Sequence, residues 1–214
     1  TGNNNIAIGN VAMNAGNTTG DNNIGIGNVT GDALTSGTDN IMMGKSAGTD
    51  LTTGDHNIFL GRGAGSTTTG GTHIVAIGRN AAQANITTDG SYSVFIGGFA
   101  GNQITSGQAN VAIGYGALSE NTTADNNTAV GKGALEYNTT GTLNTVVGSN
   151  AGDALTTGSY STAIGSNALS AVTTENYNTA VGYNTAAATT GGGNTAIGGV
   201  AICKGASTGC GYAL

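Results

Sequence analysis

The sequence predicts an all-β chain: a parallel β-solenoid (β-roll) of about twelve coils of ~17 residues each. Three observations lead there. A glycine-anchored motif recurs twelve times at nearly constant spacing, the residues before that glycine alternate as a strand does, and the composition excludes most other folds. Glycine, threonine and asparagine fill 100 of the 214 positions, proline and tryptophan are absent, and Asp, Glu, Lys and Arg together number 16. Helix bundles need stronger helix formers, and collagen needs proline with glycine at every third residue. The longest apolar runs are far shorter than the roughly 20 residues that span a bilayer, so no membrane insertion is expected. A net charge of −6 argues against nucleic acid, which is held by clustered Lys and Arg.

The repeat glycines are Gly9, Gly27, Gly44, Gly61, Gly78, Gly97, Gly114, Gly131, Gly148, Gly165, Gly182 and Gly198. Successive glycines lie 17 residues apart, with single exceptions of 16, 18 and 19. A twelve-coil array is therefore assigned to 1–198, and 199–214 to a degenerate terminal coil containing Cys203 and Cys210. The chain opens inside a unit, which reads as a processed chain, an excised piece, or subunits that cap one another end to end.

Immediately before the glycine stands an apolar column: Ile8, Ile26, Met43, Leu60, Ile77, Ile96, Ile113, Val130, Val147, Ile164, Val181 and Ile197. Two residues earlier every unit is β-branched, with Ile or Val in the first seven units and Thr128, Thr145, Thr162, Thr179 and Thr195 in the last five. A spacing of two puts both columns on one face of a strand. Taken as the larger residues, they are expected to form the interior, with the column before the glycine as a core ladder. The residues between them, seven alanines with Met42, Phe59 and Phe95 among the rest, are then expected to point outward. An outward apolar stripe calls for a cover, and the expected cover is the chain itself, as a homotrimer about the rod axis.

Four residues before the glycine, Asn stands in nine units and should stack into an amide ladder. The glycine itself should occupy a positive-φ corner or a point of close backbone approach. Thr-Thr-Gly triplets such as Thr52-Thr53-Gly54 supply turns. Further on, Leu34, Leu51, Ile104 and Leu155 lie three residues after a glycine, whereas Leu118 and Leu135 lie three residues before an asparagine. One apolar side chain is expected to enter a common slot from either position, as a constant core volume requires.

The units NTAIG, NTAVG and GYGAL, separated by TTG, resemble the glycine- and asparagine-rich repeats of bacteriophage tail fibres and bacterial surface fibres. With a longer period they are also similar to the β-roll heads of trimeric autotransporter adhesins. The resemblance implies an elongated, trimeric, extracellular shaft or head that contacts a host surface; the scarcity of charged side chains separately leads to an expectation of no enzyme activity. Two other readings compete: a filament subunit stacking end to end, and an ice-binding solenoid presenting the five Thr as a flat ladder, which fails if that column faces inward.

Few side chains carry chemistry. Lys45, Arg62, Arg79 and Lys132 directly follow repeat glycines, and Tyr115 and Tyr183 share their column, so a surface-binding stripe for an anionic glycan competes with a solubilising edge. His56 and His73 sit five before their glycines on consecutive units; with no second ligand type clustered beside them, no metal and no cofactor is expected. The acids Asp21, Asp39, Asp55, Asp89 and Asp125 are scattered over turns, and no carboxylate pair recurs beside His or Ser, so no catalytic group is assigned. Cys203 and Cys210 could close a terminal loop as a disulfide, link neighbouring molecules, or stay as thiols.

Overall fold

A computed structural model describes residues 2–87, 92–186 and 191–201. The fold is an all-β parallel solenoid of about eleven turns of ~17 residues, with no helix among the described residues. Each coil contributes one three-residue strand: β1 (Ile6–Ile8), β2 (Ile24–Ile26), β3 (Ile41–Met43), β4 (Ile58–Leu60), β5 (Val75–Ile77), β6 (Val94–Ile96), β7 (Val111–Ile113), β8 (Thr128–Val130), β9 (Thr145–Val147), β10 (Thr162–Ile164), β11 (Thr179–Val181) and β12 (Thr195–Ile197). They pair in sequence order into one parallel sheet, and every residue lies beside its repeat equivalent, as Thr128 beside Thr145 and Thr162 beside Thr179. Coil n is numbered by its strand. The ladder continues round the turns, where the amide of Asp39 donates to the carbonyl of Asp21 and that of Thr52 to Thr69. Stacking therefore satisfies backbone groups that a lone coil would leave unpaired.

The strand faces are the reverse of the sequence expectation. The middle residue of each strand points into the coil: Met42, Phe59, Ala76, Phe95, Ala112, Ala129 and Val146 are wholly buried. The expected core ladder instead faces outward. Ile8, Met43, Ile113, Val147, Ile164 and Ile197 are exposed, and Ile26, Leu60, Ile77, Ile96, Val130 and Val181 are half-buried. The Thr column shares this outer face. The physical reason is the narrow bore of the coil. Its interior is already supplied by the Asn column, by one large apolar side chain per coil, and by an Ala column three after the repeat glycine (Ala47, Ala64, Ala100, Ala117, Ala134, Ala151). No room is left for two columns of Ile.

The Asn ladder forms as expected and does more than stack. Asn40 donates Nδ2 to Asn23 Oδ1 at 3.0 Å, and also to the carbonyl of Gly54 across the coil at 2.8 Å. Its Oδ1 accepts the backbone amide of Asn57 at 2.9 Å. Seven of the nine asparagines thus tie their strand to the turn leading into the next coil, whereas Asn178 and Asn194 donate to the turn before their own strand. Ser93 and Ser161 retain half of this role, their hydroxyls accepting the amides of Asn110 and Asn178 at 3.0 and 3.2 Å. A second ladder runs along the turns, where Thr35, Thr52, Thr105, Thr122, Thr139 and Thr156 donate Oγ1 to the carbonyl of the next threonine.

The common slot is real: Leu34, Leu51, Ile104, Leu155, Leu118 and Leu135 are all fully buried. In seven coils the size of the strand centre varies inversely with that of the fourth residue after the repeat glycine, whereas coil 2 has glycine at both, Gly25 and Gly31. Opposite Met42, Phe59, Phe95 and Val146 the fourth residue after the repeat glycine is Gly48, Gly65, Gly101 or Gly152; opposite Ala112, Ala129 and Ala163 it is Leu118, Leu135 or Leu169. A Cβ on Gly48 would stand 2.7 Å from Met42 Sδ, and one on Gly65 2.7 Å from Phe59 Cζ. Large and small side chains trade places so that the interior stays filled. Beneath Phe59, the hydroxyl of buried Thr68 is left without a hydrogen-bond partner.

The repeat glycine is required on both grounds anticipated. Its φ runs from 121° to 145° through the twelve coils. At Gly61 an added Cβ would lie 2.7 Å from the carbonyl oxygen of Gly78. Gly61→Ala should therefore cost well over 2 kcal/mol, whereas Gly116→Ala, with φ of 67° and nothing within 4 Å of the new methyl, should cost about 1–2 kcal/mol. Thr68→Val removes the orphaned hydroxyl at constant shape and should raise stability by about 1 kcal/mol. Urea unfolding monitored by circular dichroism measures all three.

Candidate interaction surfaces

The outer strand face is the largest chemically distinctive surface. It consists of two parallel columns, Ile, Val or Thr on one side and Ile, Val, Leu or Met on the other, running the length of the sheet. Adjacent coils are spaced at about 4.7–4.9 Å and the two columns at roughly 6.5–7 Å, the span of two residues along a strand. Seven coils are apolar in both columns; from β8 onward one column is threonine. The face carries no charge and is flanked by two corners that do.

The corner following the strand carries the stripe anticipated from the sequence. Lys45, Arg62, Arg79, Tyr115, Lys132 and Tyr183 all project to solvent from the position after the repeat glycine. Coils 3, 4 and 5 place Lys45, Arg62 and Arg79 in direct succession. The Arg79 guanidinium lies over the Phe99 ring, 4.7 Å from its centroid, and Phe99 meets Tyr115 edge to face at 5.8 Å. An open groove beside this cluster is lined by Phe99, Asn102, Tyr115, Ser119, Glu120 and Glu136. Nothing in the repeat pattern announced it, because Phe99 is the one aromatic residue in its column.

The corner preceding the strand carries the histidines. His56 and His73 stack with ring centroids 4.8 Å apart, and Tyr92 continues the stack at 4.9 Å from His73. Above them Asn4, Asn22 and Asp39 bond side chain to side chain at 3.2 and 3.1 Å, and Asp39 Oδ2 lies 3.6 Å from His56 Nε2. Tyr160 and Tyr177 form a second stack at 5.0 Å in the same column. These residues share a left-handed backbone, with φ of 58–62° at His56, His73, Tyr92, Tyr160 and Tyr177. Identical backbone in successive coils sets the rings face to face. A stacked pair does not aim its nitrogens at one point, and among the described residues no group of three His, Cys, Asp or Glu converges.

The acids one position earlier are employed as caps. Asp55 Oδ1 accepts the Thr38 amide at 2.7 Å, and Asp125 Oδ1 accepts that of Gln108 at 2.7 Å. Elsewhere, burial pushes the Asp153 carboxyl above its ordinary range, against the pull of backbone amides at Ala154 and at Asp153 itself. At Glu175 slight burial acts upward, but the amides of Thr174, Glu175 and Thr173 together hold the carboxyl below it. Cys203 and Cys210, and Asp89 among the acids, lie outside the described residues. No described helix is long and apolar enough to cross a membrane. No protein-family model, curated protein or solved structure matches this chain.

Proposed function

We propose that the chain is a non-enzymatic structural segment of an extracellular fibre, whose rods associate through the outer strand face as a homotrimer about a shared axis. One observation carries this reading. Nineteen of the 24 outward strand positions are Ile, Val, Leu or Met, aligned in two unbroken columns. Contiguous exposed apolar surface of that kind marks an association site, and a sheet apolar on both sides is ordinarily covered on both. The stripe expected to be covered from sequence was the middle column; that column is buried within the coil, and the present reading rests on its outward neighbours. The resemblance to trimeric fibre repeats favours three copies over two. The mechanism is mechanical: hydrogen-bond ladders run continuously along the rod and give it stiffness without bulky groups. With Lys45 and Arg62 bordering the associating face, Arg79, flanked by Phe99 and Tyr115, is the surface group suited to an anionic host glycan.

A second reading gains support from the outward Thr column. Thr128, Thr145, Thr162, Thr179 and Thr195 present hydroxyls at regular spacing on a flat face, which removes the objection that the column is internal. An ice-binding solenoid needs that face free, whereas the trimer covers it.

Light scattering of the purified protein should give three chains, and Ile113→Lys with Val130→Lys should reduce that to one chain while the circular dichroism of the sheet persists. The same change at the buried Ala129 should unfold the coil instead. A one-chain mass for the unaltered protein overturns the trimer. Thermal hysteresis should be absent from the native protein; hysteresis in a one-chain rod, lost in Thr145→Tyr, would establish the ice-binding reading in its place.

A further inference from the structure

The two corners that border the outer strand face carry opposite charge at the same heights. On the leading edge, five or six residues before the repeat glycine, lie Asp21, Asp39, Asp55 and Asp125, in coils 2, 3, 4 and 8. On the trailing edge, one residue after that glycine, lie Lys45, Arg62, Arg79 and Lys132, in coils 3, 4, 5 and 8. These four are all the basic residues of the described chain. Coils 3, 4 and 8 therefore hold one acid and one base each: Asp39 with Lys45, Asp55 with Arg62, and Asp125 with Lys132. Within one chain the partners sit on opposite edges of the strand, separated by the whole face, and the ion-pair geometry present is that of Asp39 with His56 on its own edge.

We infer that these six residues form a rail of ion pairs between neighbouring copies of the chain, which fixes the copies parallel within a closed, level ring. The inference rests on the self-association proposed above and specifies its geometry. Turning one rod into the next about an axis parallel to the rods brings the trailing edge of one against the leading edge of its neighbour. Lys45, Arg62 and Lys132 then face Asp39, Asp55 and Asp125 of the adjacent copy at equal height. A two-fold perpendicular to the rods sets like edges together, acid to acid and base to base. A slip by one coil in one direction sets Lys45, Arg62 and Arg79 against Asp21, Asp39 and Asp55, and in the other leaves only Lys45 with Asp55; either slip parts Lys132 from Asp125 and climbs around the axis, so it cannot close a ring of three. The apolar columns repeat in every coil and cannot distinguish one orientation from the other, so orientation falls to the few charges and level register to closure of the ring. Coils 2 and 5 carry one member each: Asp21 has Asn28 at the trailing edge, and Arg79, whose leading-edge counterpart is His73, is occupied by Phe99.

Charge reversal on one edge tests this. Lys45→Glu, Arg62→Glu and Lys132→Glu together should raise the concentration for half-association at least tenfold. Adding Asp39→Lys, Asp55→Lys and Asp125→Lys, which exchanges the two edges, should restore it. Unimpaired association of the single-edge variant overturns the rail and leaves the trimer standing; a one-chain mass for the unaltered protein overturns the trimer and the rail with it. Because Asp55 and Asp125 also cap backbone amides, a second measurement leaves them alone. In a Cys203→Ser, Cys210→Ser background, Asp39→Cys with Lys45→Cys should be joined between chains by a short bis-maleimide. Asp39→Cys with Lys132→Cys, five coils apart and so separated by roughly 24 Å, should not. Cross-linking of the second pair, or of neither while the mass stays at three chains, overturns the level register.

Discussion

Most backbone amides bond to the carbonyl of a near-equivalent residue one coil away, and this pairing dictates the shape of every coil from its neighbours. Its force is clearest at the three left-handed positions of each turn. Five residues before the repeat glycine, φ stays within 53–62° whether the side chain is Asn, Asp, His, Tyr, Leu or Ala. Two after the glycine, Val11, Val29, Val200 and Phe99 hold φ of 55–61°, a region that β-branched and bulky residues disfavour. Such residues would leave that conformation if the local sequence governed. They remain because departing from it would break hydrogen bonds to the coils above and below. The strain is spread over many coils, and each is held by two others.

That uniform backbone encloses a channel too narrow for any free choice of contents. An interior of Asn, Ala and one large side chain per coil leaves the strand centre and the fourth residue after the glycine sharing a single volume. Phe59 with Gly65 and Ala129 with Leu135 are two solutions to the same constraint. Where Ala is replaced by Thr in the inward column, at Thr30 and Thr185, the hydroxyl donates to the next repeat glycine carbonyl at 2.7 Å, so even an inserted polar atom is satisfied. Thr68 lacks such a carbonyl, and it lies in the coil filled by the largest side chain.

Much of this was legible in the sequence. The period located all twelve strands, the invariant glycine announced its corner, the Asn column predicted its ladder, and the alternating leucines revealed a shared slot. The strand faces were inverted, because alternation establishes which residues share a face and not which face is inside. Ile8 and Ile26 looked like core against Ala7 and Gly25 only on the assumption that the larger residue is buried. The correcting signal was present in the Asn column: Asn40 lies two before Met42 and so shares its face, and an asparagine able to brace a turn from within the coil carries Met42 inward with it. The groove at Phe99 and the Tyr92 stack were beyond such reasoning, since both depend on which unlike side chains meet on adjacent coils.

With the interior already filled, two further columns of large, mostly apolar residues face outward along the strands. Along the face the chemistry changes at β8, where one column passes from Ile and Val to Thr while the other stays apolar. Covered as proposed by copies of the chain, the first seven coils would bury hydrocarbon from both columns; the last five would also have to accommodate threonine hydroxyls, a polar group that costs free energy when desolvated without a partner. Threonines at equal height in level, parallel copies can serve one another or share water, which a staggered arrangement would permit for fewer of them. In the proposed trimer the polar column would thus add a demand for alignment to the orientation set by the edge charges. On that proposal, association strength would come from the aliphatic half of the rod, and its orientation and alignment from the sparse polar groups distributed along it.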